Sequence, residues 1–125
     1  MKRFFTLLLM LLPLVSWGQG NFPTDSWLDY AETDWYINNP SAASYTITSA
    51  AQLAGMAKLA LWDPIRGCVE FEGKTITLDI EGDELDLSAH EWFPIGRGGS
   101  YNSKIVGLFK GSFDGGNCKI KGLYI

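Results

Sequence analysis

The sequence predicts a mainly β fold, in which short strands stack like the first coils of a solenoid behind an aromatic segment and one capping helix. Two observations support this. After Gly67, apolar and polar residues alternate between glycines, and an F-x-G pattern occurs twice, at Phe71 and at Phe109. The two copies start 109 − 71 = 38 residues apart. Short glycine-punctuated strands that recur in this way suit a solenoid.

The first 18 residues have the pattern of a signal peptide. Lys2 and Arg3 precede an apolar run that ends at Val15, and small residues stand around Gly18. We expect cleavage after Gly18. A cut after Gly20 and an uncleaved anchor are the alternatives. The run is shorter than the roughly 20 apolar residues of a membrane span, so the sequence predicts export to the cell surface or the medium, with the periplasm as the alternative.

The charge balance argues against nucleic acid as a partner. Without Lys2 and Arg3, the 10 basic residues fall to 8 against 14 acidic ones, a net charge of −6. Such a protein is repelled by phosphate backbones and by anionic lipid heads. Its 46% of hydrophobic residues is typical of a folded chain.

Residues 19–44 form an aromatic-rich segment that includes Trp27, Tyr30, Trp35 and Tyr36. These rings either pack over one end of the domain or form a surface on which sugars stack. We expect packing, because aromatic side chains bury large apolar areas.

One helix is predicted at about residues 50–61. Ser49 is a suitable N-cap, and Leu53 and Met56 recur at helical spacing among strong helix formers. Gly55 weakens the helix unless another backbone passes close by. Pro64 prevents the helix from continuing.

Beyond Gly67 the period of two predicts strands that contain Val69–Phe71, Ile76–Ile80 and Leu85–Leu87. Residues 89–104, with a proline and three glycines, are predicted to form a loop. A final strand pair is expected at about 105–113 and 118–125, with residues 114–117 as its turn.

The segments "TDWY", "YTITSAAQLAGMAKLA", "FEGKTITLDIEGDELDLSAHEWFPIG" and "GLFKGSFDGGNCKIKGLYI" resemble the N-terminal part of exported bacterial surface proteins with GLUG-type repeats. The resemblance covers about residues 33–125 and implies a right-handed β-helix and an adhesin-like role without catalytic residues or cofactor. The residues that carry it are Trp35, Tyr36, Leu53, Trp92, Pro94, Gly96, Phe109, Gly111, Phe113, Asp114, Gly115, Ile120, Gly122 and Leu123.

Two departures from the family pattern are visible. Cys118 stands where the family has a histidine, and the segment before Asp86 is longer by about three residues. We interpret residues 45–125 as the capped start of a longer solenoid. If the chain instead ends at Ile125, its last strand is expected to mediate self-association, because an apolar strand edge invites pairing.

Few residues suggest chemistry. His90, the sole histidine, has no catalytic motif around it, so we predict no enzyme. Asp79, Glu81 and Asp83 are either a weak calcium site or a solvated acidic face. In an oxidising compartment, Cys68 and Cys118 either pair or remain two separate thiols.

Trp92 either packs against the fold or offers a face for ligand stacking. Three functions therefore remain open. The first is a non-enzymatic surface scaffold, the second a glycan-binding module, and the third the N-terminal part of a polysaccharide-active enzyme. The expected partners are a surface glycan or another protein.

Overall fold

The computed structural model describes residues 22–125. The predicted signal peptide, residues 1–18 with the alternative cut after 20, lies outside this range. A 3₁₀-helix spans Trp27–Tyr30, helix α1 spans Asp34–Ile37, and helix α2 spans Ala50–Ala60. The strands are β1 (Ser44–Ile47), β2 (Thr75–Leu78), β3 (Glu84–Asp86), β4 (Gly99–Tyr101), β5 (Lys104–Val106), β6 (Ser112–Asp114) and β7 (Lys119–Lys121).

Helix α2 begins where its sequence predicts. The Ser49 hydroxyl accepts a hydrogen bond from the backbone N–H of Gln52 and so caps the first turn. Leu53 and Met56 are buried along one face of the helix. The helix ends because Leu61 takes an extended conformation, which is one residue earlier than expected. Within residues 22–125, no helix has the length and apolar character needed to cross a membrane.

The largest sheet has the strand order β1-β2-β6, and both of its pairings are parallel. Alternation sets which side chains are buried: Tyr45 and Ile47 of β1 point into the core, as do Ile76 and Leu78 of β2. A second sheet pairs β3 with β7, again in parallel. The core lies between these strands and α2.

The two F-x-G segments lie side by side. The rings of Phe71 and Phe109 are 6.1 Å apart between centroids, and β2, which follows the first copy, pairs with β6, which follows the second. Gly111 permits this close approach, because a Cβ atom there would lie 2.7 Å from the carbonyl oxygen of Phe71. The two F-x-G segments, which resemble each other in sequence, are therefore also neighbours in the structure.

The expected first coils of a right-handed β-helix are not what the structure contains, and that prediction is wrong. Among the described residues the strands form separate sheets of three, two and two strands, and none closes or continues as a solenoid. The physical reason is local. Each strand has only three or four residues, and a turn, loop or helix follows it before a longer ladder forms.

Two further strand predictions are also corrected. The final hairpin does not form, since β6 and β7 pair with β2 and β3 rather than with each other. Parallel pairing places Phe113 beside Ile76 and Ile120 beside Leu85, so apolar side chains lie next to apolar ones. The Val69–Phe71 strand is absent as well, because Phe71 adopts a left-handed conformation with φ of 59°.

The expected loop at 89–104 contains the first strand of an antiparallel hairpin. Strands β4 and β5 pair through Tyr101 and Lys104, and Asn102 and Ser103 form the tight turn between them. Their φ angles are 48° and 63°, as a type I′ turn requires. The Asn-Ser pair was the signal for this hairpin, although it is weaker than Asn-Gly.

The aromatic-rich segment packs on the core. The ring of Trp35 stacks on Phe71 with centroids 5.9 Å apart, and Tyr36 meets the same ring edge-on at 5.6 Å. The indole N–H of Trp27 donates a buried hydrogen bond of 2.9 Å to the carbonyl of Leu87. These contacts join the segment to residues 35 to 60 positions later in the chain.

Candidate functional site

An apolar groove lies where the second F-x-G segment leaves the core uncovered. Its volume is about 310 Å³. Helix α2 forms its floor, and β6, β7 and the loop that follows β3 form its walls. The side chains that line it are Leu53, Met56, Leu87, Trp92, Ile95, Phe109, Phe113, Ile120 and Leu123.

The groove lies beside β6 and β7, whose apolar side chains are more exposed than those of the strands with which they pair. Ile76 of β2 is 0% exposed, whereas its register partner Phe113 of β6 is 42% exposed. Leu85 of β3 is 5% exposed, whereas its partner Ile120 of β7 is 48% exposed. The apolar side chains of β2 and β3 are thus covered, whereas those of their partners β6 and β7 are open. Burying such side chains is favourable by about 25 cal/mol per Å² of apolar surface.

The backbone next to the groove is open in the same way. Lys110 donates its N–H to the carbonyl of Glu70, and Ser112 donates to the carbonyl of Lys74, just before β2. Leu87, just after β3, donates its N–H to the carbonyl of Lys121. In the sheets of the described residues, β6 and β7 are each bonded along one edge. Their other edges carry the unpaired donors and acceptors that strand addition uses.

Charged side chains flank the apolar middle residues of the two strands beside the groove. Asp114 ends β6, and its carboxylate accepts a hydrogen bond from the N–H of Gly116. Lys119 and Lys121 flank Ile120 on β7, and Lys121 pairs with Glu84 at 2.5 Å. Among the ion pairs of residues 22–125, none includes Asp114 or Lys119.

A second cleft, of about 330 Å³, lies beside the C-terminal half of α2, where Ala57 and Ala60 line it. Trp62, which is 55% exposed, and Phe93 contribute aromatic faces, and the Arg97 guanidinium lies 5.6 Å over the Phe93 ring. A guanidinium held over a ring is oriented for a planar anion. In the sequence, Arg97 falls within the predicted loop at residues 89–104, and nothing there predicts this cleft.

The family-motif residues fall into distinct places. Pro94 and Gly96 line the second cleft, whereas Trp92 is buried and lines the apolar groove. Gly115 lies in the turn after β6, and Gly122 takes a positive φ of 70° after β7. The exposed tryptophan face of the second cleft therefore belongs to Trp62 and not to Trp92.

His90 contacts one carboxylate and two aromatic rings. Its Nδ1 lies 2.7 Å from the Asp25 carboxylate, and its ring stacks on Tyr30 at 3.8 Å and meets Trp27 edge-on at 4.7 Å. Tyr30 donates its hydroxyl to the same carboxylate at 2.7 Å. The bond with His90, and after it the bond from Tyr30, lower the pKa of Asp25. No pattern in the sequence predicts that Asp25 and His90, which are 65 residues apart, lie in contact.

This arrangement fastens the N-terminal segment to the loop after β3. The bridge between Ser26 and Glu91 supports the same junction, with N–H bonds from Trp27 to Glu91 and from Glu91 to Asp25. In residues 22–125, no cysteine sulfur forms a hydrogen bond with His90. The geometry there is that of a structural pair without an adjacent thiol nucleophile.

Both cysteines are free thiols in the structure. Cys68 lines the second cleft, and burial, together with the Glu70 carboxylate, raises the pKa of its thiol. Cys118 packs against the core, and its Sγ lies 3.6 Å from the carbonyl oxygen of Lys119. A raised pKa disfavours the reactive thiolate of Cys68.

The acidic run does not build a cation site. Asp79, Glu81 and Asp83 are all exposed, and Gly82 and Asp83 turn the chain with positive φ angles. Across residues 22–125, no three histidine, cysteine, aspartate or glutamate side chains come together in a way that could hold a metal ion. Calcium binding needs several converging oxygens.

Comparison with known proteins adds no assignment: no family model matches this chain, and neither a curated protein nor a solved structure is significantly similar to it.

Proposed function

We propose that this chain is a non-enzymatic, exported scaffold module of an adhesin-like surface protein, and that it contacts other polypeptides through the apolar groove. The observation that carries the proposal is the exposure of Phe113 and Ile120, at 42% and 48%, on two strands whose outer edges are open. Such a surface recognises extended polypeptide, because backbone groups supply hydrogen bonds and alternate side chains fill the groove.

Two sequence features support the export part of the proposal. Residues 1–18 have the order of charge, apolar run and small residues that a signal peptidase recognises. The resemblance to exported bacterial surface proteins points in the same direction.

The contacts of the sole histidine support the non-enzymatic part of the proposal. His90 Nδ1 lies against the Asp25 carboxylate and its ring stacks on Tyr30, which supports a structural rather than a catalytic use.

The test is to follow the N-terminus and the location of the protein in a bacterial host. An epitope inserted at the exposed Asn102–Ser103 turn is detected by antibody on intact and on permeabilised cells, and mass spectrometry gives the mature N-terminus. We expect Gln19 as the first residue and antibody binding to intact cells. A chain that keeps Met1 and is labelled only after lysis overturns the proposal. A processed chain that is labelled only after outer-membrane permeabilisation overturns its surface location.

A second candidate function rests on the other cleft. Trp62, Phe93 and Arg97 combine aromatic faces with a cation, which suits a carboxylate-bearing sugar such as a uronic acid. Tryptophan fluorescence should change on titration with glucuronic acid and change much less with glucose. Arg97→Gln should abolish the response, while Arg66→Gln, a matched change outside this cleft, should leave it intact. No response to the acid, or an equal response in Arg97→Gln, removes this candidate.

A further inference from the structure

We infer that the partner in the apolar groove is a second copy of this chain, and that β6 of each copy pairs antiparallel with β7 of the other. The inference rests on the proposed function, since it names the polypeptide that covers the groove. A two-fold axis that brings β6 onto β7 of the second copy also brings β7 onto the second β6. One symmetric contact therefore satisfies both open edges and covers both copies of the groove.

The apolar side chains match in this arrangement. Each strand has three residues with an apolar one in the middle, Phe113 in β6 and Ile120 in β7. Both middle residues line the groove. Antiparallel pairing centred on them places Phe113 of one copy opposite Ile120 of the other, so that each fills the space the other leaves open.

The charges select this pairing. With Phe113 opposite Ile120, Asp114 of one copy faces Lys119 of the other, and Ser112 faces Lys121. In the described chain, Asp114 and Lys119 belong to none of the ion pairs, whereas Lys121 is already neutralised by Glu84. The docked copy thus gives Asp114 and Lys119 each an oppositely charged partner.

Two other symmetric pairings, β7 with β7 and β6 with β6, are less favourable because neither joins Asp114 to Lys119. If β7 paired antiparallel with its own copy about Ile120, Lys119 would face Lys121 twice and would gain no acidic partner, and the β6 edges would stay unpaired. If β6 paired with itself about Phe113, Asp114 would face only Ser112, and the β7 edges would stay unpaired. Only the crossed pairing joins opposite charges and uses both edges.

The experiment is sedimentation equilibrium on the purified protein over a concentration series, with a charge swap between the two strands. Wild type should show a reversible dimer. Asp114→Lys and Lys119→Asp should each weaken the dimer about tenfold or more, because each change acts twice in a symmetric dimer. The double variant, with the two charges exchanged, should return the dissociation constant to within about threefold of wild type.

Two controls separate this pairing from a folding defect. Asp114→Asn keeps an oxygen for the Gly116 N–H and should weaken the dimer less than Asp114→Lys. Lys104→Asp changes an exposed charge on β5, away from the groove, and should leave the dimer unchanged. In wild type, the outward amides of β6 and β7 should gain hydrogen-exchange protection as the dimer forms, a readout that needs no variant.

A monomer over the whole concentration range overturns the inference and leaves the groove to a different polypeptide. A dimer that is insensitive to both single changes, or that the double change does not restore, overturns the crossed pairing. These failures leave the export and surface results untouched. A failure of export, in turn, leaves the sedimentation result standing, so the two proposals fail separately.

Discussion

Gly55 in helix α2 lies against the backbone of Glu32, such that a Cβ atom at Gly55 would be 1.9 Å from the Glu32 carbonyl oxygen. The same oxygen accepts the indole N–H of Trp35 at 2.8 Å, and Glu32 donates its own N–H to Ala51 at 2.9 Å. The glycine, which is unfavourable in a helix by itself, is therefore what allows the N-terminal segment to dock on α2.

Gly55→Ala should destabilise the protein although alanine is the better helix former. The added methyl group forces the two backbones apart, which costs about 1–3 kcal/mol of the free energy of unfolding. Urea denaturation followed by tryptophan fluorescence measures this. Gly99→Ala is the control, since a Cβ atom at Gly99 meets nothing within 4 Å, and its midpoint should hardly move. If both variants unfold at the wild-type midpoint, the close contact at Glu32 is absent in solution.

Trp27→Phe should lower the free energy of unfolding more than Trp35→Phe does. Both indoles donate to a carbonyl, but the Trp27 bond to Leu87 is buried and the Trp35 bond to Glu32 is exposed. Water replaces a lost donor only where it has access, so the buried carbonyl of Leu87 would be left unpaired at a cost of about 1–3 kcal/mol. Thermal and urea unfolding of the two variants provide the comparison. The reverse order of stability would show that the Trp27 bond is not buried.

Asp25→Asn should lower stability at neutral pH and have a smaller effect in acid. The bonds with His90 and Tyr30 lower the pKa of Asp25 in the folded state. A lowered pKa contributes stability above the unfolded value of about 4, and that contribution is lost as the pH falls through the folded pKa. Urea midpoints of wild type and variant should therefore converge below about pH 4. Asp29→Asn is the control, because the Asp29 side chain is exposed and forms none of the hydrogen bonds of residues 22–125. A difference in midpoint that persists unchanged in acid would contradict the carboxylate's role.

Both cysteines should be titrated as free thiols. After unfolding without reductant, a colorimetric thiol reagent should detect two thiols per chain, one of which is lost in Cys68→Ala and one in Cys118→Ala. In the native protein, Cys68 should be alkylated slowly at neutral pH, because burial raises its pKa and reduces the thiolate population. A mass two units lower than that of the reduced chain, with no free thiol, would instead indicate a disulfide bond.

Several local features follow from the sequence because they depend on nearby residues. The N-cap at Ser49 and the apolar face of α2 need only residues within the helix, and the alternation around Ile76 and Leu85 sets which side chains are buried. The close approach at Gly55 was also predictable as a reason for a glycine in a helix, although the identity of its neighbour, Glu32, was not. The resemblance to GLUG-type surface proteins remains a prediction.

The strand pairing could not be predicted in the same way. The turn residues at 114–117 favour a hairpin, yet β6 and β7 pair in parallel with β2 and β3. A turn constrains only the residues beside it, whereas burial of Phe109 against Phe71 depends on segments 38 residues apart. The Asn102–Ser103 turn between β4 and β5 shows the opposite case, where a short-range signal was overlooked.

The sequence by itself determined the helix, the alternation of buried and exposed side chains and the presence of two similar F-x-G segments, since each is a property of neighbouring residues. Only the tertiary structure decided that these strands form separate short sheets, that His90 meets Asp25, and that Phe113 and Ile120 face an open groove. Those outcomes depend on which distant surfaces bury one another. Local propensity does not encode that choice, because the free energy of burial belongs to pairs of segments rather than to either segment alone.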